Sequence, residues 1–186
     1  MQYSATKLMI VVGACLSLLA CSSYKDSGGS GSHSVNVELE RNASITISKF
    51  KTEDPTLDRF FQSAAGYAVF PNVGKGAIGV GGAYGKGVVY ENGSVVGYTS
   101  LSQGTIGLQL GGQAYSEIIF FESAASLSNF KYGNMEFSAQ ASAVAATAGA
   151  SADADFEEGV AVFTMAKGGL MYEASIGGQK FSYTAK

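Results

Sequence analysis

From Gly66 onward the apolar residues of this chain recur at every second position, in runs rich in glycine. That feature excludes a helical body. Period two is the signature of half-buried strands, and each glycine in a helix interior costs about 1 kcal/mol relative to alanine. Glycine supplies 25 of the 186 residues, and proline only two. The glycine share is about twice the usual ~7%, while two prolines exclude collagen and a proline-rich spacer. Tyr67–Pro71 reads as a short strand stopped by its proline. Ala77–Tyr84, Gly87–Glu91 and Ser94–Leu101 read as strands, the last two joined by an Asn92-Gly93 turn. Thr105–Leu110 and Ala114–Phe121 read as a further pair around Gly111-Gly112. Ser123 is an N-cap candidate for a short helix to Phe130. Met135–Gly149, Gly159–Ala166, Leu170–Ile176 and Lys180–Thr184 return to strand patterning. Small residues crowd one of these segments (Ala139, Ala141, Ala143, Ala145, Ala146), which fits a tightly curved sheet. Ile176–Ser182 echoes Leu110–Ser116, and the pattern reads as one hairpin geometry used twice.

Ahead of Gly66 the pattern differs. Lys7 precedes an apolar stretch from Leu8 to Ala20, the form of a secretory signal too short to span a bilayer comfortably. Leu18-Leu19-Ala20-Cys21 resembles the bacterial lipobox, which makes Cys21 the expected lipid anchor and residues 1–20 a removed signal peptide. Cys15 would leave with that signal, so no disulfide is expected in the mature chain. Residue Ser22, not Asp, follows the cysteine and points by analogy to the outer membrane, facing the periplasm. Residues 21–34 read as a Gly/Ser-rich tether that contains the lone histidine, His33. Residues 35–51 fit both alternation and a helical face of Leu39, Ala43, Ile47 and Phe50, and an amphipathic helix is the reading taken forward. Asp54 then caps a helix with Pro55 at its first position and Leu57, Phe60, Phe61 and Ala64 as its stripe. The fold class is α+β: mainly antiparallel β, a barrel-like or strongly curved sheet, with N-terminal helices and one short mid-chain helix.

The chemistry-bearing residues are few. A formal net charge of -3 argues against a general nucleic-acid binder. One histidine and two cysteines exclude His/Cys zinc sites and leave no readable nucleophile–base pair, so no enzyme and no cofactor is expected. Gly74–Gly79 satisfies G-x-G-x-x-G, but a strand pattern rather than a helix follows, so these are strand and turn glycines. Asp153, Asp155, Glu157 and Glu158 resemble the start of a calcium loop, yet Thr164 stands where an EF-hand needs its bidentate glutamate. They read as a solvated acidic loop, with no metal. Lys75, Lys86, Lys167 and Lys180 each adjoin or approach glycine in turn-like positions, and Lys49, Lys51 and Arg59 flank the front helices. A face on which several converge would meet anionic headgroups at about 1 kcal/mol per cation.

Gly66–Gly76 (GYAVFPNVGKG), Gly81–Gly87 (GGAYGKG), Gly107–Gln113 (GLQLGGQ), Ile119–Phe121 (IFF), Ala139–Val144 (AQASAV) and Lys167–Met171 (KGGLM) occur in that order. The composite resembles the SYLF domain, a lipid-binding and actin-regulator domain, from about residue 37 to 184. The resemblance implies binding of anionic phospholipid, with phosphoinositide headgroups the ligands of eukaryotic relatives. The matching positions on this chain are Lys49, Lys51, Lys75, Lys86 and Lys167. Actin is implied only by analogy with those relatives. In a bacterial envelope the expected ligand is an anionic phospholipid such as phosphatidylglycerol or cardiolipin. A structural or protein-interaction module with an envelope protein partner is the alternative.

Overall fold

A computed structural model describes residues 30–186, except residues 79, 107–110, 139–141 and 168–173. The expected signal peptide and Cys21 lie outside the described residues. Helix α1 (Ser30–Glu53) is followed by a 3-10 turn (Pro55–Leu57), α2 (Asp58–Ser63) and strands β1 (Gly66–Ile78), β2 (Val80–Glu91), β3 (Ser94–Ile106) and β4 (Gly111–Phe121). Helix α3 (Ala124–Lys131) precedes β5 (Ser142–Ala145), β6 (Val160–Ala166), β7 (Ala174–Ser175) and β8 (Gln179–Ala185). The expected α+β class with front helices and one mid-chain helix is what is found.

Both predicted caps are present. Asp54 accepts from the Thr56 backbone N–H, and Ser123 accepts from that of Ser126. The helical reading of residues 35–51 holds, and α1 begins at Ser30, inside the expected tether, so His33 is helical. The helix is held there by its tertiary contacts: Glu40 accepts from the Tyr98 hydroxyl at 2.6 Å and from Lys186 Nζ at 2.8 Å.

The strands run in the order β7-β5-β6-β4-β1-β2-β3-β8, antiparallel except for β5 beside β6. Asn92 and Gly93, at φ 50° and 74°, make the predicted tight turn between β2 and β3. Three expectations are corrected. Proline does not stop the first strand: β1 runs on through Pro71, which sits where the register shifts against both neighbours, a place where its missing N–H is tolerated. β3 and β4 do not pair with one another, because β1 and β2 stand between them. Gly111 and Gly112 are therefore the first residues of a strand paired with Ala77 and Gly76, whereas Gly177-Gly178 is a real turn, with Gly178 at φ 73°. The Met135–Gly149 strand shrinks among the described residues to β5 and a single bridge of Glu136 to Lys180.

The two edge strands, β7 and β8, are joined by only Ile176–Gly178. Laid flat, eight strands would hold them about 34 Å apart, whereas so short a connection reaches roughly 14 Å. The sheet must curl. Side chains confirm it: Phe70 on β1 and Phe181 on β8 have ring centroids 6.0 Å apart, although β2 and β3 separate their strands. Among the described residues the hydrogen-bonded ladder itself does not close into a ring.

Curling gives two cores. The concave side holds Phe70, Val73, Leu101, Ile119, Phe121 and Phe181, with Leu127 and Phe130 of α3 packed against them. On the convex side Val69, Val88, Ile118, Phe120 and Phe163 lie beneath Ala43 and Phe50 of α1 and Phe60 of α2. Gly66, Gly87 and Gly97 let these layers approach, since a Cβ on Gly97 would lie 2.4 Å from the Tyr183 ring.

Candidate functional site

The five predicted lysines do not form one cluster. Lys51 is engaged: its Nζ lies 2.7 Å from Asp58 Oδ1 and 4.4 Å from the Phe61 ring centroid. Lys75 lies on the concave face, because its cross-strand partner Ala83 belongs to the inner core. Lys86 is on the opposite, convex face, one residue from the inward Gly85 and Gly87.

Lys49 and Lys167 lie near enough for their charges to interact. Lys167 follows β6 and is fixed by its backbone N–H, which donates to Ala114 O at 2.8 Å. Burial lowers its pKa, and the positive charge of Lys49 on α1 lowers it further. Neither lysine forms an ion pair among the described residues, and neither does Lys86. The convex face therefore carries two uncompensated ammonium groups from segments far apart in the chain, with Lys86 three strands away. Two like charges within range disfavour each other, and an anion placed between them relieves that cost. Phosphate oxygens suit such a pair, since each ammonium presents three donors.

The acidic run has no comparable organisation. Asp153, Asp155, Glu157 and Glu158 are exposed on the loop into β6 and line a cavity of about 420 Å³ with Phe137, Val144 and Ile176. Among the described residues no three His, Cys, Asp or Glu side chains are grouped to hold a metal ion.

Sequence reasoning missed a polar layer inside the curl. Tyr115, Glu117, Gln103 and Gln179 are all buried. Gln179 Nε2 on β8 donates to Glu117 Oε2 at 3.1 Å and to the Tyr115 hydroxyl at 3.3 Å, and Gln103 Nε2 donates to Gly177 O at 2.7 Å. Desolvation pushes the Glu117 carboxyl up to about 8, against the lowering effect of the Gln179 bond. Burial and the nearby Glu117 also raise Tyr115. The signal was available. In Tyr115–Phe121 the inward phase is Tyr115, Glu117, Ile119, Phe121, an acid standing in an otherwise apolar series.

Residues 102–185 match the family model described as Ysc84, Las17-binding protein actin regulator. A curated relative, beta cell expansion factor A of Aeromonas veronii, is 26% identical over 147 residues, covering 78% of this chain and 56% of the relative. The chain thus spans about half the length of the curated relative it matches. The matched residues include β4 and the end of β3 (102–106), yet β1 and β2 lie between those strands, so the sheet needs the upstream motifs Gly66–Gly76 and Gly81–Gly87 as well.

Proposed function

We propose, with the match of residues 102–185 to the Ysc84 (SYLF) family model as the premise, that this chain is an envelope lipoprotein whose domain binds anionic phospholipid. Cys21 is the anchor, and the domain works in the periplasm at the outer membrane. The observation that supports the headgroup reading is the shared positive charge of Lys49 and Lys167 on the convex face, free of carboxylate partners among the described residues. A phosphodiester there accepts from both ammonium groups, and Lys86 adds attraction along the same face. The acyl anchor holds the domain near the bilayer, so weak individual contacts act at high effective concentration.

The test uses the unlipidated chain from residue 22 onward, sedimented with neutral or phosphatidylglycerol-containing vesicles at low and high salt. Binding to the anionic vesicles alone, weakened by salt, is expected. Lys49→Glu with Lys167→Glu should abolish it, whereas Lys75→Glu, on the other face, should retain it. Equal binding by the double variant and the parent would refute the site. A protein-interaction module is the second reading, favoured by Val35, Val37 and Ile45, each about half exposed along α1. A stoichiometric envelope partner captured without vesicle binding would establish it instead.

A further inference from the structure

Glu117 is fully buried in the curl of the sheet, and its bond to Gln179 ties β4 to β8 across four strand spacings. Glu117 Oε1 and Gln179 Oε1 are both buried acceptors with no hydrogen-bond partner among the described residues. A carboxylate can only accept, whereas a proton on Oε1 makes that oxygen a donor and removes the charge. Among the described residues, the groups facing it supply no compensating cation. β1 places Phe70 opposite Glu117, and its Lys75 lies level with Gln113, four residues along β4. β6 places Thr164 opposite. β8 offers Gln179, Phe181 and Tyr183, whose hydroxyl donates to Val96 O, while Lys180 pairs with Glu136 at 3.4 Å. β3 contributes the neutral Gln103 and Thr99, and β4 itself contributes Tyr115. Burial of an anion without a partner is strongly unfavourable.

We propose that Glu117 is held as the neutral acid and that its proton is the latch fastening β8 to β4 across the lumen. Losing the proton leaves a buried anion with no counter-ion and releases β8. Phe181 leaves with the strand, so its ring contacts with Phe70, Phe130 and Phe137 open. The device turns a proton into exposure of an aromatic interior, and it is independent of the lysine face.

Hydrogen–deuterium exchange of the peptide covering residues 176–186 tests this, corrected for intrinsic exchange and referenced to a β1–β2 peptide. In the parent protein, protection of β8 should fall by up to about tenfold per pH unit as pH rises from the ordinary glutamate value of 4.5 towards about 8, and level off above that. Glu117→Gln, which keeps an acceptor for Gln179 and cannot ionise, should show no such fall. Equal pH dependence in the two proteins would overturn the latch. Should the variant not fold, a carboxyl-carbon NMR titration of the parent decides. A midpoint for Glu117 in the ordinary glutamate range overturns the proposal. A midpoint near 8, with β8 protection falling as pH rises to it and level beyond it, supports the proposal.

Discussion

Asp54 offers a sharp test of how the front helices are fastened to the sheet. Its side chain is completely buried. Oδ1 accepts from Thr56 N at 3.1 Å, Thr56 Oγ1 at 2.5 Å and Gly149 N at 3.2 Å, while Oδ2 accepts from Ser151 N at 2.8 Å. One carboxylate thus caps the 3-10 turn and pins the loop leading to β6, to which Arg59 also donates through Ser151 O and Ala154 O. Hydrogen bonds to a charged group are worth about 1.5–3 kcal/mol each. Asp54→Ala strands the buried Ser151 amide and removes the cap, so a loss of about 3–5 kcal/mol is expected. At roughly 2–4 °C per kcal/mol for a chain of this size, the melting temperature should drop by about 10–15 °C. Asp54→Asn keeps one oxygen but turns an N–H toward Ser151 or Thr56, and it should lose most of the same stability. The sign of the pH effect follows from the carboxyl's pKa. Burial raises it, but the bonds from Thr56 and Ser151 outweigh burial and leave it below 3.8. The stabilisation is complete above that value and disappears as pH falls through the folded-state pKa. The gap between parent and Asp54→Ala should therefore narrow below about pH 4. Chemical denaturation followed by far-UV circular dichroism measures both. A loss under about 1 kcal/mol at neutral pH would refute the fastening argument.

Two smaller predictions concern packing and capping. Gly97→Ala drives a Cβ to within 2.4 Å of the Tyr183 ring and 2.6 Å of Thr184 O, whereas the same change at Gly76 meets nothing within 4 Å. Denaturation midpoints should show a cost of about 1–3 kcal/mol for the first and little for the second. Ser123→Ala removes the cap of α3 and should cost about 1 kcal/mol, restored by Ser123→Asp.

Local chemistry was legible where a single residue type does a local job. Asp54 before Pro55, Ser123 before an apolar stripe and the Asn92-Gly93 pair each declare a cap or turn by bonds made within a few residues. What sequence left hidden was set by pairing at a distance. Phe70 and Val73 both face the concave core, three positions apart, because the register shifts between them at Pro71 and Asn72. Strict alternation counted from Phe70 would put Lys75 on the convex side, and the shift puts it inside. The adjacency of β4 to β1 was hidden for a similar reason, since nothing local in Gly111–Phe121 names its neighbour. The lysines were chosen from motifs, and only the fold separates Lys75 from Lys49, Lys86 and Lys167. The Glu117 layer falls between the two cases: its phase was readable, but its partner Gln179 was not.

The connection of both sheet edges through Ile176–Gly178 carries a consequence for how the chain acquires its shape. β8 comes after every other strand of the sheet in chain order, yet it covers the outer flank of β3 and supplies Phe181 to the interior. Until Gln179–Ala185 has docked, β3 presents a long unsatisfied backbone edge, a template for association with other chains. A polypeptide that emerges amino terminus first passes through that state every time. Assembly is then governed by the arrival of its final seam, and shielding of β3 until that moment becomes a requirement of the architecture rather than of any one side chain.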